Sequence, residues 1–334
     1  MNFHTLPKTW IIAEIGVNHE GNEAVAADLI RKAAAAGADV VKFQTFEVEH
    51  YVSSEQPERR ERCKRFELSR DAFRRLARTA TDVGVTFFST PLGLADIDFL
   101  TEIAPLIKIS SGDITFLALI RHAARTGKPL IISTGLATEA EIALAVEAVL
   151  GERPSARDDG SLMLMHCVSA YPTPAEECNL RNMHWLRERF RLPVGYSDHT
   201  LGTKACELAV AAGAKAVEKH FTYRKEDQAF HDHLLSADPT DLHELVNAVR
   251  QAETYLGAPI RTRTPSEEKM LAHMRRSIAT VTDIPAGTPV KREWLTWVRP
   301  QWGLGPEEMD RVVGKALNKA LPAGAVVRAE DVTG

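Results

Sequence analysis

Short apolar runs and longer amphipathic ones take turns along the chain as far as Gly257. Trp10-Ile11-Ile12-Ala13-Glu14-Ile15-Gly16 is the first short run, and an Ala-rich helical stretch over 23–36 follows it, stopped by Gly37. The pair then recurs. Strand patterns at 38–44, 85–88, 105–109, 129–132, 162–166, 191–196 and 213–217 are each followed by a helical pattern, the last of them over 240–256. Such an α/β alternation, repeated eight times, predicts a (β/α)8 TIM barrel over residues 1–257. A long polar connection rich in Glu and Arg, 47–69, interrupts the rhythm after the second strand. Connections of that length are uncommon in compact domains unless they cover a site or are mobile.

Beyond Gly257 the pattern changes. Ala258 to Pro265 reads as an extended linker held by Pro259 and Pro265, and Ser266-Glu267-Glu268-Lys269-Met270 reads as a capped helical turn, so 258–276 is expected to connect two domains. Brief strands and Pro-Ala-Gly turns over 277–334 predict a small β-rich domain with a core too thin to stand comfortably alone.

Composition narrows the function classes. The 334 residues are 44% hydrophobic and 26% charged, as in ordinary globular proteins, and a net charge of -4 argues against nucleic acid as the main partner. No apolar run approaches the length of a membrane span, and the first residues lack the apolar core of a secretory signal. Cys63, Cys167, Cys178 and Cys206 form no Cys-x-x-Cys pair, which fits a reducing cytoplasm better than a disulfide scaffold.

The chemistry-bearing residues fall where a barrel keeps its site, at the carboxyl ends of strands. Strand parity aims Glu14, Lys42, Gln44, Glu218 and His220 into the barrel mouth if the helix-facing positions are apolar. Gly195-Tyr196-Ser197-Asp198-His199 and Val217-Glu218-Lys219-His220 end consecutive strands in an imidazole. Parallel neighbours bring such ends side by side, within reach of one divalent ion. A second theme is anion binding. Small hydroxyls end several strands, in Ser89-Thr90, Lys108-Ile109-Ser110-Ser111-Gly112, Ser133-Thr134-Gly135 and Ser197. Hydroxyls, glycines that bare the backbone N–H groups, and two lysines suit an anion with three acceptor oxygens.

Taken together, Ala13-Glu14-Ile15-Gly16-Val17-Asn18-His19-Glu20-Gly21, Val41-Lys42-Phe43-Gln44-Thr45, His166-Cys167 with Tyr171-Pro172-Thr173, Tyr196-Ser197-Asp198-His199-Thr200 and Glu218-Lys219-His220-Phe221-Thr222 resemble the sialic acid synthase family. The tail resembles that family's antifreeze-like (SAF) domain through Arg276-Ser277-Ile278, Trp297-Val298-Arg299-Pro300 and Val313-Gly314-Lys315. The resemblance implies condensation of phosphoenolpyruvate with an open-chain N-acylated hexosamine, N-acetylmannosamine or a diacetamido sugar. It also implies a homodimer in which the SAF domain reaches the partner's site. By position it makes His199 and His220 the ligands of a divalent metal, usually manganese, with magnesium or cobalt as alternatives. It assigns Lys42, Thr90, Lys108, Ser111, Ser133 and Ser197 to phosphoenolpyruvate. Gln44, Tyr171, Glu218, Asp232 and Arg299 fall to the sugar, and the reacting carbons lie among Glu14, Lys42, Gln44, Glu218 and Asp232.

Three positions depart from the family pattern on the sugar side. Asp113 replaces Glu, Ser169 replaces Asn, and Ala229-Phe230-His231-Asp232-His233 replaces a Gly-Pro-Asp run, so the acceptor stays open. His231 and His233 are expected in a solvated loop rather than at a second metal. A metal-dependent sugar isomerase or epimerase on the same barrel is the competing enzyme reading. A non-catalytic carbohydrate-binding protein leaves the charged strand ends unexplained.

Overall fold

The computed structural model describes residues 1–225 and 232–333. Two compact units divide the chain, 1–257 and 258–334.

In the first unit eight parallel strands form the barrel: β1 (Trp10–Gly16), β2 (Val40–Thr45), β3 (Thr86–Pro91), β4 (Ile107–Ile109), β5 (Leu130–Ser133), β6 (Leu162–Cys167), β7 (Val194–Asp198) and β8 (Ala216–His220). Their ladder runs β3-β2-β1-β8-β7-β6-β5-β4, and β3 lies beside β4 to bring the ring round. Helices α1 (Glu23–Ala36), α2 (Val48–Tyr51), α3 (Pro57–Phe66), α4 (Arg70–Asp82), α5 (Leu94–Ile103), α6 (Leu117–Arg125), α7 (Glu139–Glu152), α8 (Asn182–Phe190), α9 (Lys204–Ala211), α10 (Asp232–Leu235) and α11 (Pro239–Leu256) complete the unit.

Local chemistry sets the ends of these helices. The Asn22 side chain accepts from the N–H groups of Ala24 and Val25 to open α1, and Gly37, at φ 97°, closes it. Thr138 with Glu141 makes a capping box on α7, and Asp238 with Asp241 makes one on α11 behind Pro239. The core lies between strands and helices, where Phe43 packs 5.5 Å from Phe87 and 6.1 Å from Phe73, ring centre to ring centre.

Register places the charged residues. Glu14 stands opposite Lys42 on one side and His220 on the other, and Ser197 stands opposite Glu218. A bulge follows Glu14, with Gly16 at φ 55°; a Cβ there would lie 3.1 Å from the Glu14 carboxylate, so glycine lets the loop pass over the site.

Two expectations need correcting in this unit. The polar connection 47–69 contains α2 and α3, and α3 buries no residue at all. Only Cys63 and Phe66 lean on an apolar cluster, too few to show a 3.6-residue period. The helix-facing positions are not uniformly apolar either: Asp198 and Lys219 are buried there as an ion pair.

The second unit holds an antiparallel pair, β9 (Ser277–Thr280) and β10 (Leu295–Val298), over its own core of Ile278, Ile284, Val290, Leu295 and their neighbours. Part of the expected linker is helical. Helix α12 (Pro265–Met274) starts at Thr264, whose hydroxyl and Glu267 form a capping box, so Pro265 begins a helix instead of holding an extended segment.

Candidate active site

The barrel mouth opens into a cavity of about 510 Å³. Every barrel residue expected to act there lines it: Glu14, Lys42, Gln44, Thr90, Lys108, Ser111, Ser133, Tyr171, Ser197, His199, Glu218, His220 and Asp232. Arg299 lies in the other unit, exposed just past β10, where Arg292 stacks 4.7 Å over the Trp297 ring.

The floor is a chain of buried charges. Lys42 Nζ lies 2.9 Å from Glu14 and 3.5 Å from Glu218, and it donates to Thr90 Oγ1 at 3.3 Å. Lys108 Nζ lies 2.8 Å from the other oxygen of Glu218, and Ser197 Oγ donates to that carboxylate at 3.0 Å. Gln44 donates to Glu14 at 3.4 Å.

The two carboxylates part company here. Burial pushes Glu14 up to about 7, offset only partly by Lys42 and reinforced by the Glu218 charge. Burial acts on Glu218 as well, but Lys108 and Lys42, with bonds from Lys108 and Ser197, hold it below the usual carboxylate range. One glutamate is thus poised to trade a proton near neutrality while the other stays anionic. Among the lysines, burial lowers Lys108, whereas on Lys42 Glu14 and Glu218 outweigh burial and raise it.

Beside the floor, the His199 and His220 rings sit 5.6 Å apart, centre to centre, and Tyr171 packs 4.2 Å from His199. Burial lowers the pKa of both imidazoles, and for His220 the neighbouring His199 and Lys42 add to it, so both favour the neutral form. The Nδ1 of His199 meets the Val168 carbonyl at 2.7 Å. A carbonyl only accepts, so Nδ1 carries the proton and Nε2 keeps its lone pair. His220 Nδ1 is buried without a hydrogen-bond partner, 3.8 Å from an Asp232 oxygen. Among the described residues no group of three or more His, Cys, Asp or Glu gathers around one point. Two neutral imidazoles with an uncommitted lone pair each therefore fit a divalent ion that keeps open positions for other ligands.

Loop chemistry shapes the remaining wall. Gly135 N–H donates to Ser111 Oγ at 3.0 Å, and a Cβ at Gly135 would come within 2.4 Å of Ser169 and 2.8 Å of Ser111. A larger residue there would require those side chains to shift. Ser169 lines the cavity, while the Asp113 carboxylate is turned to the Ser110 hydroxyl. Residues 229–231 lie outside the described residues, His231 among them. His233 is fully buried, with Nδ1 2.6 Å from the Thr222 hydroxyl and Nε2 3.3 Å from Glu20, which overturns a solvated loop for that residue.

The sequence reading missed part of the mouth. Tyr51, Arg59, Arg62, Cys63 and Phe66, from α2 and α3, line the cavity too. The one signal for them was the unusual length of a charged connection beside a strand end.

A barrel whose strand ends gather two lysines, two low-lying glutamates and two imidazoles into one cavity has the anatomy of an enzyme, with its site at the carboxyl face. The chain belongs to the NeuB family, whose profile matches residues 29–261, and a SAF domain profile matches residues 275–333. It is 38% identical to N,N'-diacetyllegionaminic acid synthase of Legionella pneumophila, over 97% of this chain and 94% of that protein. It is 33% identical to N-acetylneuraminate-9-phosphate synthase of Homo sapiens, over 92% and 88%. A solved structure of N-acetylneuraminic acid (sialic acid) synthetase from Leptospira borgpetersenii superposes with a TM-score of 0.74 at 33% identity, covering 78% of this chain and 90% of that one. Its relatives include synthases of N,N'-diacetyllegionaminic acid, pseudaminic acid and N-acetylneuraminate 9-phosphate. No helix among the described residues is long and apolar enough to cross a membrane.

Proposed function

We propose that the chain condenses phosphoenolpyruvate with an open-chain N-acylated hexosamine to give a nonulosonic acid and inorganic phosphate. The observation that carries this reading is the charged floor: Lys42 and Lys108 share one buried carboxylate, Glu218, beside the imidazole pair.

In this reading the floor trades partners. Phosphoenolpyruvate brings acceptor oxygens to Lys42 and Lys108, with hydroxyls from Thr90, Ser111, Ser133 and Ser197 around them. Gln44, Tyr171 and Asp232 orient the sugar. C3 of phosphoenolpyruvate bonds to the aldehyde carbon, water adds at C2, and the bond from C2 to the phosphate oxygen breaks as the new C2 hydroxyl becomes a carbonyl and passes its remaining proton to the departing phosphate. Glu14, at about 7, takes the proton from that water and returns it to the former aldehyde oxygen. Lys42 and Lys108 hold the phosphoryl and carboxylate charge throughout. A divalent ion held by His199 and His220, manganese first and magnesium or cobalt as alternatives, supplies Lewis-acid polarisation of the aldehyde.

Release of inorganic phosphate from phosphoenolpyruvate, dependent on added amino sugar, tests the reaction. A sugar isomerase or epimerase would release none. Offering N-acetylmannosamine and 2,4-diacetamido sugars side by side decides the acceptor; the 38% identity to a legionaminic acid synthase favours the diacetamido class.

The working form in this reading is a homodimer in which Arg299 of one copy serves the other's cavity. His199→Ala and Arg299→Ala subunits should then complement when co-expressed, because one site of each heterodimer is intact. Verified heterodimers without recovery would refute the exchange.

A further inference from the structure

The outer face of the same two strands holds a second ion pair that the proposed reaction does not use. Asp198 and Lys219 stand opposite each other on β7 and β8, 0% and 2% exposed, with Nζ 2.9 Å from Oδ2. Lys219 also donates to the Thr200 carbonyl. The other oxygen of Asp198 accepts the Thr200 N–H at 2.9 Å and the Tyr196 hydroxyl at 3.1 Å, and the Cys206 thiol lies 3.5 Å from Oδ2. Neither member of the pair lines the cavity.

A buried ion pair seldom stabilises a fold more than well-packed apolar residues of the same size. Its bonds indicate another role. They run to the residues on both sides of His199: Asp198 before it, and both backbone groups of Thr200 after it. The chain is thereby held on both sides of His199. Two further bonds hold the residue from the loop that follows β6. The His199 carbonyl accepts the Thr173 N–H at 2.9 Å, and its Nδ1 is held by Val168. Thr173 Oγ1 in turn donates to the Val168 and Ala170 carbonyls, so the loop bearing Tyr171 is tied to the same point.

We propose that Asp198 and Lys219 are positioning residues, a latch outside the barrel that sets His199 for a divalent cation inside it. The proposal rests on His199 and His220 holding that cation. Outer-sphere partners of metal-binding histidines commonly change affinity by about 10–100-fold when lost. Here the partner grips the backbone instead of the ring.

The test is Mn²⁺ titrated into metal-free full-length protein, with free Mn²⁺ read by electron paramagnetic resonance and phosphoenolpyruvate affinity measured separately. The variant is Asp198→Asn with Lys219→Met, which removes both charges at similar volume and so avoids a lone buried ion. Mn²⁺ should bind about 10–100-fold more weakly, with phosphoenolpyruvate changed less than about threefold, and Lys219→Arg alone, which keeps the pair with Asp198, should retain most of the parent Mn²⁺ affinity. Mn²⁺ affinity within about threefold of the parent would overturn the latch, as would equal loss of both ligands, which marks general damage. Should the double variant fail to fold, Tyr196→Phe decides: it removes one bond to Asp198, and unchanged Mn²⁺ binding would overturn the proposal. A parent protein that binds no Mn²⁺ would defeat the metal reading itself, a result distinct from any of these.

Discussion

Two ion clusters occupy opposite faces of the same strands, and they differ by one residue of parity. Glu218 faces inward and Lys219 outward; Ser197 faces inward and Asp198 outward. The inner cluster borders open space, its lysines share one carboxylate, and its two glutamates are held at opposite ends of the carboxylate range. The outer cluster is closed, and both Asp198 oxygens are occupied by neighbours in the chain. Buried charge alone therefore says little about function. What separates a reactive cluster from a fastening one is whether its partners can be exchanged for a ligand.

The comparison can be broken by asking whether inner variants lose turnover and outer ones lose stability. The largest effect should come from the imidazoles. His199→Ala or His220→Ala should reduce turnover by on the order of a thousandfold or more, as should chelation, because several kcal/mol of aldehyde polarisation is removed. The melting midpoint of either variant should move by only about 2–4 °C. Activity surviving in metal-free buffer would erase the distinction on the inner side.

Glu14→Gln comes next, with a kcat loss of about 10²–10⁴-fold. In the parent protein kcat/KM should climb as pH rises through about 7, where Glu14 loses its proton and becomes a base. The sign follows from the role, since a group that accepts a proton is inactive while it already holds one. A parent profile flat across that range would remove Glu14 from proton transfer.

On the outer face, Asp198→Ala leaves Lys219 buried and uncompensated, and denaturant unfolding should show a loss of about 3–5 kcal/mol. A loss below about 1 kcal/mol would mean that the pair is not closed at all.

The smallest effect expected is for Lys108→Met, which removes one charge-assisted contact worth about 1.5–3 kcal/mol, a ten- to hundredfold weakening of phosphoenolpyruvate. Sugar KM should change far less. Equal losses for both substrates would separate Lys108 from the phosphate.

The barrel was legible because its strands are short apolar runs and its helices carry caps such as Asn22, Thr138 and Asp238. The inner residues followed from parity, which held for Glu14, Lys42, Gln44, Glu218 and His220 alike. The same rule hid the outer pair. It presumes apolar residues against the helices, and a charge there satisfied by Thr200 and Tyr196 leaves no trace in the local pattern. Helix α3 was missed for the opposite reason: it has no apolar stripe, so only its ends and its position reveal it. His233 reads as a solvated loop residue, yet Thr222, eleven residues before it, and Glu20, from the first strand's loop, enclose it. Long-range satisfaction of this kind is invisible to any window of consecutive residues.

Helix α3 and the segment before it also bear on how such a protein can change over generations. They rest on a satellite cluster of Val17, Phe46 and Val48, with Cys63, Phe66 and Leu92 packed against it, separate from the main core. The exposed side chains of α3 can be rewritten at about 0.5 kcal/mol or less apiece, since no barrel packing depends on them. A lineage can thus retune one wall of the cavity by single steps, each survivable, while the floor that performs the chemistry is left untouched. The barrel inherits; the rim experiments.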